Sequence, residues 1–371
     1  VRESLGIAAG LALIAWILVD AFEAIVLPRR VTRRFRPTRL FYAGTWRPWS
    51  ALARRMRPGK RHESFLGIFG PLSMLLLLGC WATGMLLGFA LLLWSASRFH
   101  GDGASFAASF YMSGETFFTL GLGDVTPHTS AARATTVLEA GIGFAFLALV
   151  VGYLPVLYGA FSKREVVISQ LDSRAGSPPS ALELLRRYKD APAELRDLLK
   201  QVESWTAELM ESHLSYPVLC YYRSQHDNQS WLAALTTVLD ACSILLASGK
   251  REGDATHAQA RFTFALARHA VADLAQVLSR KPLPPEFERL PPEVLERLTG
   301  AGCLAPDPSA AERLKDYRRM YEPYVNALGV YLQMPLPRFD GAPKSVENWK
   351  TSAWGRIASE PGAAADAEHR D

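Results

Sequence analysis

Ala104-Ser-Phe-Ala-Ala-Ser-Phe-Tyr-Met-Ser-Gly-Glu-Thr-Phe-Phe118, continued by Thr119-Leu-Gly-Leu-Gly-Asp124, is the stretch from which the rest of this 371-residue chain is read. Its first part has the composition of a helix of about four turns at 3.6 residues per turn, too short to cross a bilayer, with Asp102 or Gly103 placed to cap it. Its second part carries Gly121 and Gly123 two residues apart. A short helix followed by such a segment predicts a re-entrant loop. Non-helical backbone at membrane depth is tolerated only where protein buries it or where it lines a water-filled path.

Outward from this stretch lie three apolar runs: Leu5 to Leu27, Ser64 to Ser97 and Ala134 to Ser162. A bilayer core of roughly 30 Å needs about 20 apolar residues of helix, so each run predicts a span. A signal peptide is the alternative for the first, but that run has no basic leader and continues through Asp20 and Glu23. The chain begins with Val, which reads either as a literally translated valine-type start codon or as the loss of a few upstream residues. Between the first two spans, Pro28 to His62 holds twelve Lys/Arg and no acid. By the positive-inside rule this connector is cytoplasmic, so the N-terminus lies outside and Arg98 to Arg133 lies on the external side. The charge asymmetry agrees: residues 1–162 hold 15 Lys/Arg against 8 Asp/Glu, and residues 163–371 hold 26 against 28. A basic excess confined to the apolar half is a topology signal and not a nucleic-acid one.

In the connector, Trp46, Trp49, Leu52 and Met56 recur at helical spacing beside Arg54, Arg55 and Arg57. This predicts an amphipathic helix in the inner headgroup layer, with the three arginines either binding anionic lipid or serving topology alone. Asp20 and Glu23 are expected to pair with Arg29 or Arg30.

A dehydrated cation needs rings of oxygen ligands, and backbone carbonyls supply them if successive residues point the same way. That requires alternating dihedrals, which glycine accepts without steric cost. Gly121 and Gly123 meet the need, Thr119 adds a hydroxyl as innermost ligand, and the negative end of the short helix favours a cation. Thr-Leu-Gly-Leu-Gly-Asp at 119–124 resembles the potassium-channel filter Thr-Val-Gly-Tyr-Gly-Asp. The order span, short helix, filter, span resembles the two-transmembrane pore module over about Leu66 to Ser162, and Val125-Thr-Pro127 extends the likeness. Bacterial proteins of the two-pore-domain potassium channel family are the nearest resemblance, although this chain has one filter.

The resemblance implies ion ligation by Thr119, Leu120, Gly121, Leu122 and Gly123, with K+ as the permeant ion and no other cofactor. It also implies filter support by Glu115 and Asp124. Two carboxyls that approach behind the filter cannot both ionise cheaply, so the pair is expected to share a proton and to give pH-dependent gating. One filter per chain implies a C4 homotetramer. Leu122 stands where the family has an aromatic residue, so its brace is expected from Tyr111, Phe110 or Phe117. Phe118 stands where many members have a second threonine. Gly141, Gly143 and Pro155 are candidate gating hinges, with close helix packing the alternative for the glycines. Glu139 is expected to pair with Arg133 or to line the cavity.

The expected fold class is an all-α membrane protein: three transmembrane helices with a re-entrant pore helix and filter, plus an all-α cytosolic C-terminal domain. Its parts are a first helix (1–27), a basic linker (28–63), a pore module (64–162), a linker (163–179), a helical domain (180–335) and a disordered tail (336–371). Helices are predicted near 180–190, 192–212, 229–248, 257–279, 292–299 and 309–331. His213, Cys220 and His226 fit no zinc spacing, and the four scattered cysteines predict free thiols. No nucleophile–base arrangement points to an enzyme, and no GxGxxG points to a phosphate loop. The expected function is therefore a tetrameric, potassium-selective cation channel of a bacterial inner membrane, with an unknown cytosolic regulator. The alternatives are a weakly selective channel and a membrane-anchored sensor with a vestigial pore. A transporter subunit would carry four filter-like repeats in one chain.

Overall fold

The structure is a computed structural model describing residues 2–27, 36–95, 105–225, 229–249, 254–284 and 292–338. Arg29, Arg30, Asp102, Gly103, His226 and the tail from 339 onward lie outside the described residues. Every regular element among those described is helical. The chain divides into two units, Val1–Arg57 with Ile68–Gly159, and Pro58–Gly67 with Ala160–Asp371.

The first unit is built from α1 (Arg2–Ala21, continued by a π-helical turn Phe22–Val26), α2 (Pro37–Ala53), α3 (Lys60–Ser95) from Ile68 onward, α4 (Phe106–Phe117) and α5 (Ser130–Ala175) as far as Gly159. Glu3–Ile25, Lys60–Ser95 and Ser130–Ala175 are long and apolar enough to cross a membrane, matching the three apolar runs. Helices α1 and α3 pack antiparallel through two small-residue pairs, Gly6/Gly10 and Gly84/Gly88. A Cβ on Gly10 would lie 2.7 Å from the Gly88 carbonyl, and one on Gly84 would lie 2.1 Å from Ile17. Apolar solvent offers no hydrophobic drive between helices, so close backbone approach and van der Waals contact hold the pair.

At the end of this seam Asp20, fully buried, collects three donors on Oδ2: Trp81 Nε1 at 3.0 Å, Thr38 N at 3.0 Å and Thr38 Oγ1 at 2.5 Å. Arg36 supplies the cation, 3.5 Å from Asp20 and 3.3 Å from Glu23. The acids thus pair with Arg36, because they face the start of α2. Trp46 also departs from the interfacial expectation. It is buried with its ring 4.7 Å from Phe69 of α3, so it packs α2 onto α3 and does not face lipid. Arg54, Arg55 and Arg57 are exposed in the turn that follows α2. The core of the unit runs through Ile14, Ile17, Trp81, Met85, Phe89 and Phe117, with Phe146 and Val150 of α5 against it.

Helix α5 continues well past Ser162, through most of the stretch read as a linker. Arg164, Ile168, Leu171 and Ala175 are all buried at helical spacing, which gives this half an inward stripe. The helix stops where Gly176 takes φ +87 and donates its N–H to the Asp172 carbonyl.

The second unit holds α6 (Ala181–Arg187), α7 (Pro192–Ser215), a 3-10 turn (Pro217–Tyr221), α8 (Trp231–Ala247), α9 (Ala255–Val277), α10 (Pro292–Gly300), α11 (Pro308–Arg319) and α12 (Glu322–Leu332). Helix α8 is buried almost all round, so it is the core around which the others pack. Ser180, Ser230, Asp254 and Asp307 cap α6, α8, α9 and α11 through their side-chain oxygens. The predicted helix 309–331 is two helices. Pro323 has no N–H to donate to the Arg319 carbonyl and its ring crowds that group, so α11 ends at Arg319 and a new helix opens with Pro323 in its first turn.

Two polar clusters sit in this core. Arg164 donates to the carbonyls of Leu219 (3.0 Å) and Tyr222 (3.1 Å) and to His213 Nε2 (3.2 Å). Burial and the neighbouring guanidinium hold His213 well below the usual histidine range, so it is neutral and accepts from arginine. A cation in this place is incompatible with a metal at His213 and Cys220. In the second cluster Tyr321 donates to Asp240 beside the Arg318–Glu322 pair, and burial pushes the Asp240 carboxyl up to about 7.

Candidate functional site

The short helix between the second and third candidate spans begins at Phe106, because Ser105 accepts from the Ala108 N–H and caps it. It ends in two bonds that together make a Schellman motif. Leu120 N donates to the Glu115 carbonyl (2.7 Å) and Thr119 N to the Thr116 carbonyl (3.1 Å). The motif places Thr119 at φ +58, in the left-handed region where glycine is the usual occupant. Gly121 follows at φ +63 and Gly123 at φ +78, while Leu120 and Leu122 have no positive φ. Handedness therefore alternates through five residues. In an ordinary strand successive carbonyls point to opposite faces; alternating right- and left-handed residues turn them to the same side.

Phe118 to Asp124 are all exposed in the single chain, Leu120 at 63% and Leu122 at 65%. The expected brace for Leu122 is therefore not made within the chain. Phe117 is buried against Phe118 and Phe146, and Tyr111 turns its hydroxyl to Asp124 Oδ1 at 3.2 Å. Phe117 is thus committed to the core and Tyr111 to a carboxylate, while Phe118 stays exposed. The carboxyl of Glu115, itself buried, lies near enough to the Asp124 carboxyl for the two charges to interact, and its Oε2 has no hydrogen-bond partner among the described residues. Tyr111, Glu115 and Asp124 are so brought near one another at the end of α4.

Gly143 touches the same structure from α5. A Cβ there would lie 2.1 Å from the Phe117 carbonyl oxygen and 2.9 Å from its carbon. Gly141 and Gly152 have nothing within 4 Å of an added Cβ. Helix α5 is continuous through all three and contains Pro155. Gly143 is thus a point of close backbone approach.

Glu139 neither pairs with Arg133 nor opens to a cavity. Arg133 Nε donates to the Pro127 carbonyl at 3.2 Å, and Glu139 is fully buried against Ser113 of α4. The signal that could have found this contact is Ser109 and Ser113, one turn apart on a short apolar helix, opposite a span whose one acid is Glu139.

A family model described as "Ion channel" matches residues 73–157, the stretch that contains most of α3, all of α4 and much of α5. This supports an ion-channel protein with membrane helices. The chain is also similar to the "Uncharacterized membrane protein YdjJ" of Bacillus subtilis, 25% identical over 191 residues. The alignment covers 49% of this chain and 55% of that relative, so the chain spans little more than half of its length. No solved structure matches.

Proposed function

We propose that the chain is one subunit of a homotetrameric, potassium-preferring cation channel, with Thr119 to Gly123 as its filter. The observation that carries this reading is the alternation of left-handed residues at 119, 121 and 123 at the end of a short helix between two apolar helices. One such strand supplies one quarter of each oxygen ring, and four copies about an axis complete it. The exposed filter supports closure by other copies, as do the apolar side chains that α5 leaves uncovered, among them Val137, Phe144, Leu147 and Val151. Conduction is exchange of hydration water for carbonyl oxygens, with Thr119 contributing its hydroxyl at the inner end. Glu115 and Asp124 support the filter from behind and share a proton.

In this reading α4 is the re-entrant pore helix and the N-terminus lies outside. The helical domain is cytoplasmic in a bacterial inner membrane, where a regulator acts on it. Arg54, Arg55 and Arg57 face anionic headgroups, since they are exposed in a turn next to the helices.

The test is cation flux in proteoliposomes, comparing potassium, sodium and rubidium, with Gly121→Ala as control. No atom of the same chain crowds Gly121, so alanine there at least opposes its left-handed backbone, at about 1–2 kcal/mol. Potassium-selective flux lost in the variant supports the reading. Equal flux of all three ions refutes the selectivity, and no flux at any pH or voltage refutes the channel.

A further inference from the structure

Ser113 lies at the junction of three helices of the first unit. Its hydroxyl oxygen is 3.0 Å from the Leu86 carbonyl of α3 and in hydrogen-bond contact with Glu139 Oε1 of α5. Ser113 and Glu139 are both fully buried. A hydroxyl has one hydrogen, and a backbone carbonyl only accepts. If Ser113 donates to Leu86, its contact with Glu139 is a hydrogen bond only when the carboxyl brings the second proton. The other oxygen agrees: Glu139 Oε2 is buried and, among the described residues, has no hydrogen-bond partner. A carboxylate there would hold an uncompensated charge, whereas a carbonyl oxygen leaves only one weak acceptor unmet. The nearest cation along α5, Arg133, is turned to Pro127. Four residues beyond Ser113 is Phe117, whose carbonyl meets Gly143, and two further on the filter begins.

We propose that Glu139 is a positioning residue that acts as a neutral carboxylic acid, donating to Ser113 so that α4 is tied to α3 and α5 and the filter is held at a set height. Its consequence for flux rests on the channel reading; its chemistry does not. The Glu139→Gln variant can still donate, through its amide N–H, whereas Glu139→Ala cannot.

The experiment compares wild type, Glu139→Gln, Glu139→Ala and Ser113→Ala in the full chain by two readouts. The first is the infrared spectrum of the purified protein. Wild type minus Glu139→Gln is expected to show the C=O stretch of a protonated carboxylic acid, shifted in Ser113→Ala because its acceptor is gone. The second is hydrogen exchange of the amides of 106–117, together with the potassium-to-sodium flux ratio. Exchange is expected to rise about ten-fold in Glu139→Ala and Ser113→Ala, the scale of one lost buried hydrogen bond, and to stay within about two-fold of wild type in Glu139→Gln. The flux ratio is expected to fall in the first two and to be kept in the third. A carboxylate band in the difference spectrum, or a glutamine variant as damaged as the alanine one, overturns the proposal. If the alanine variants do not fold, the glutamine variant and the wild-type spectrum still decide it. Wild type without flux but with the protonated band refutes the channel and leaves the assignment of Glu139 intact.

Discussion

Replacing Gly143 by alanine adds one methyl group where α5 crosses the end of α4. The new carbon would lie 2.1 Å from the Phe117 carbonyl oxygen and 3.0 Å from its Cα. Carbon contacts are comfortable at about 3.5 Å, so the helices must separate by more than about 1 Å. The obstacle is backbone, with no rotamer to escape into. Overpacking of this kind costs about 1–3 kcal/mol, against which alanine returns about 1 kcal/mol of helix propensity. At Gly141 and Gly152 an added Cβ meets nothing within 4 Å, so only the propensity gain applies there. The expected outcome is a sign difference: Gly143→Ala lowers thermal stability and the cation selectivity of the liposome flux, while Gly141→Ala and Gly152→Ala keep or raise stability. Melting of the purified variants by tryptophan fluorescence, alongside flux, checks it. A Gly143→Ala protein as stable and as selective as wild type would refute the close-contact reasoning. Loss of flux in Gly141→Ala at unchanged stability would restore a hinge role.

Thr119 occupies a left-handed position that glycine fills at about 1–2 kcal/mol less cost. Thr119→Gly is therefore expected to raise the melting temperature yet lower potassium flux, because the hydroxyl is lost; unchanged flux would remove the ligand role. Glu115→Gln is expected to alter conduction and flatten its pH dependence, measured as flux over a pH series; no change in either would sink the shared proton. Asp240 is an acid whose folded value is raised to about 7 from an ordinary 3.8. The folded state then binds the proton more tightly, and stability falls as pH rises from about 4 through 7. Asp240→Asn should flatten that fall and stabilise the helical domain at pH 8 relative to wild type, read as slower hydrogen exchange in α8. A pH profile identical to wild type would place the charge elsewhere.

The three apolar helices were legible because a span writes itself as a long apolar run with few charges. The short helix with its two glycines was legible because the required backbone is one that few residues accept. The helical second half was visible in its periodicity and its proline punctuation, except that Pro323 divides what the pattern joined. The nearness of Glu115 to Asp124 was expected from the family resemblance and not from the residues alone, since one stands in α4 and the other in the loop beyond it. Bounds were less legible: α5 runs on to Ala175 because burial of its last turns within the second unit, and not bilayer thickness, sets where its apolar stripe ends.

What the sequence determined by itself, then, is the set of elements and the local chemistry of 119–124, because these depend on neighbours along the chain. What only the tertiary structure decided is which polar groups meet in the apolar interior. Asp20 finds Trp81 across 61 residues and Ser113 finds Glu139 across 26, pairings with no period and no spacing to announce them. The reason is one of cost. A buried polar group must find a partner, but the partner is chosen by which helix faces pack together, and packing is settled by all the side chains at once.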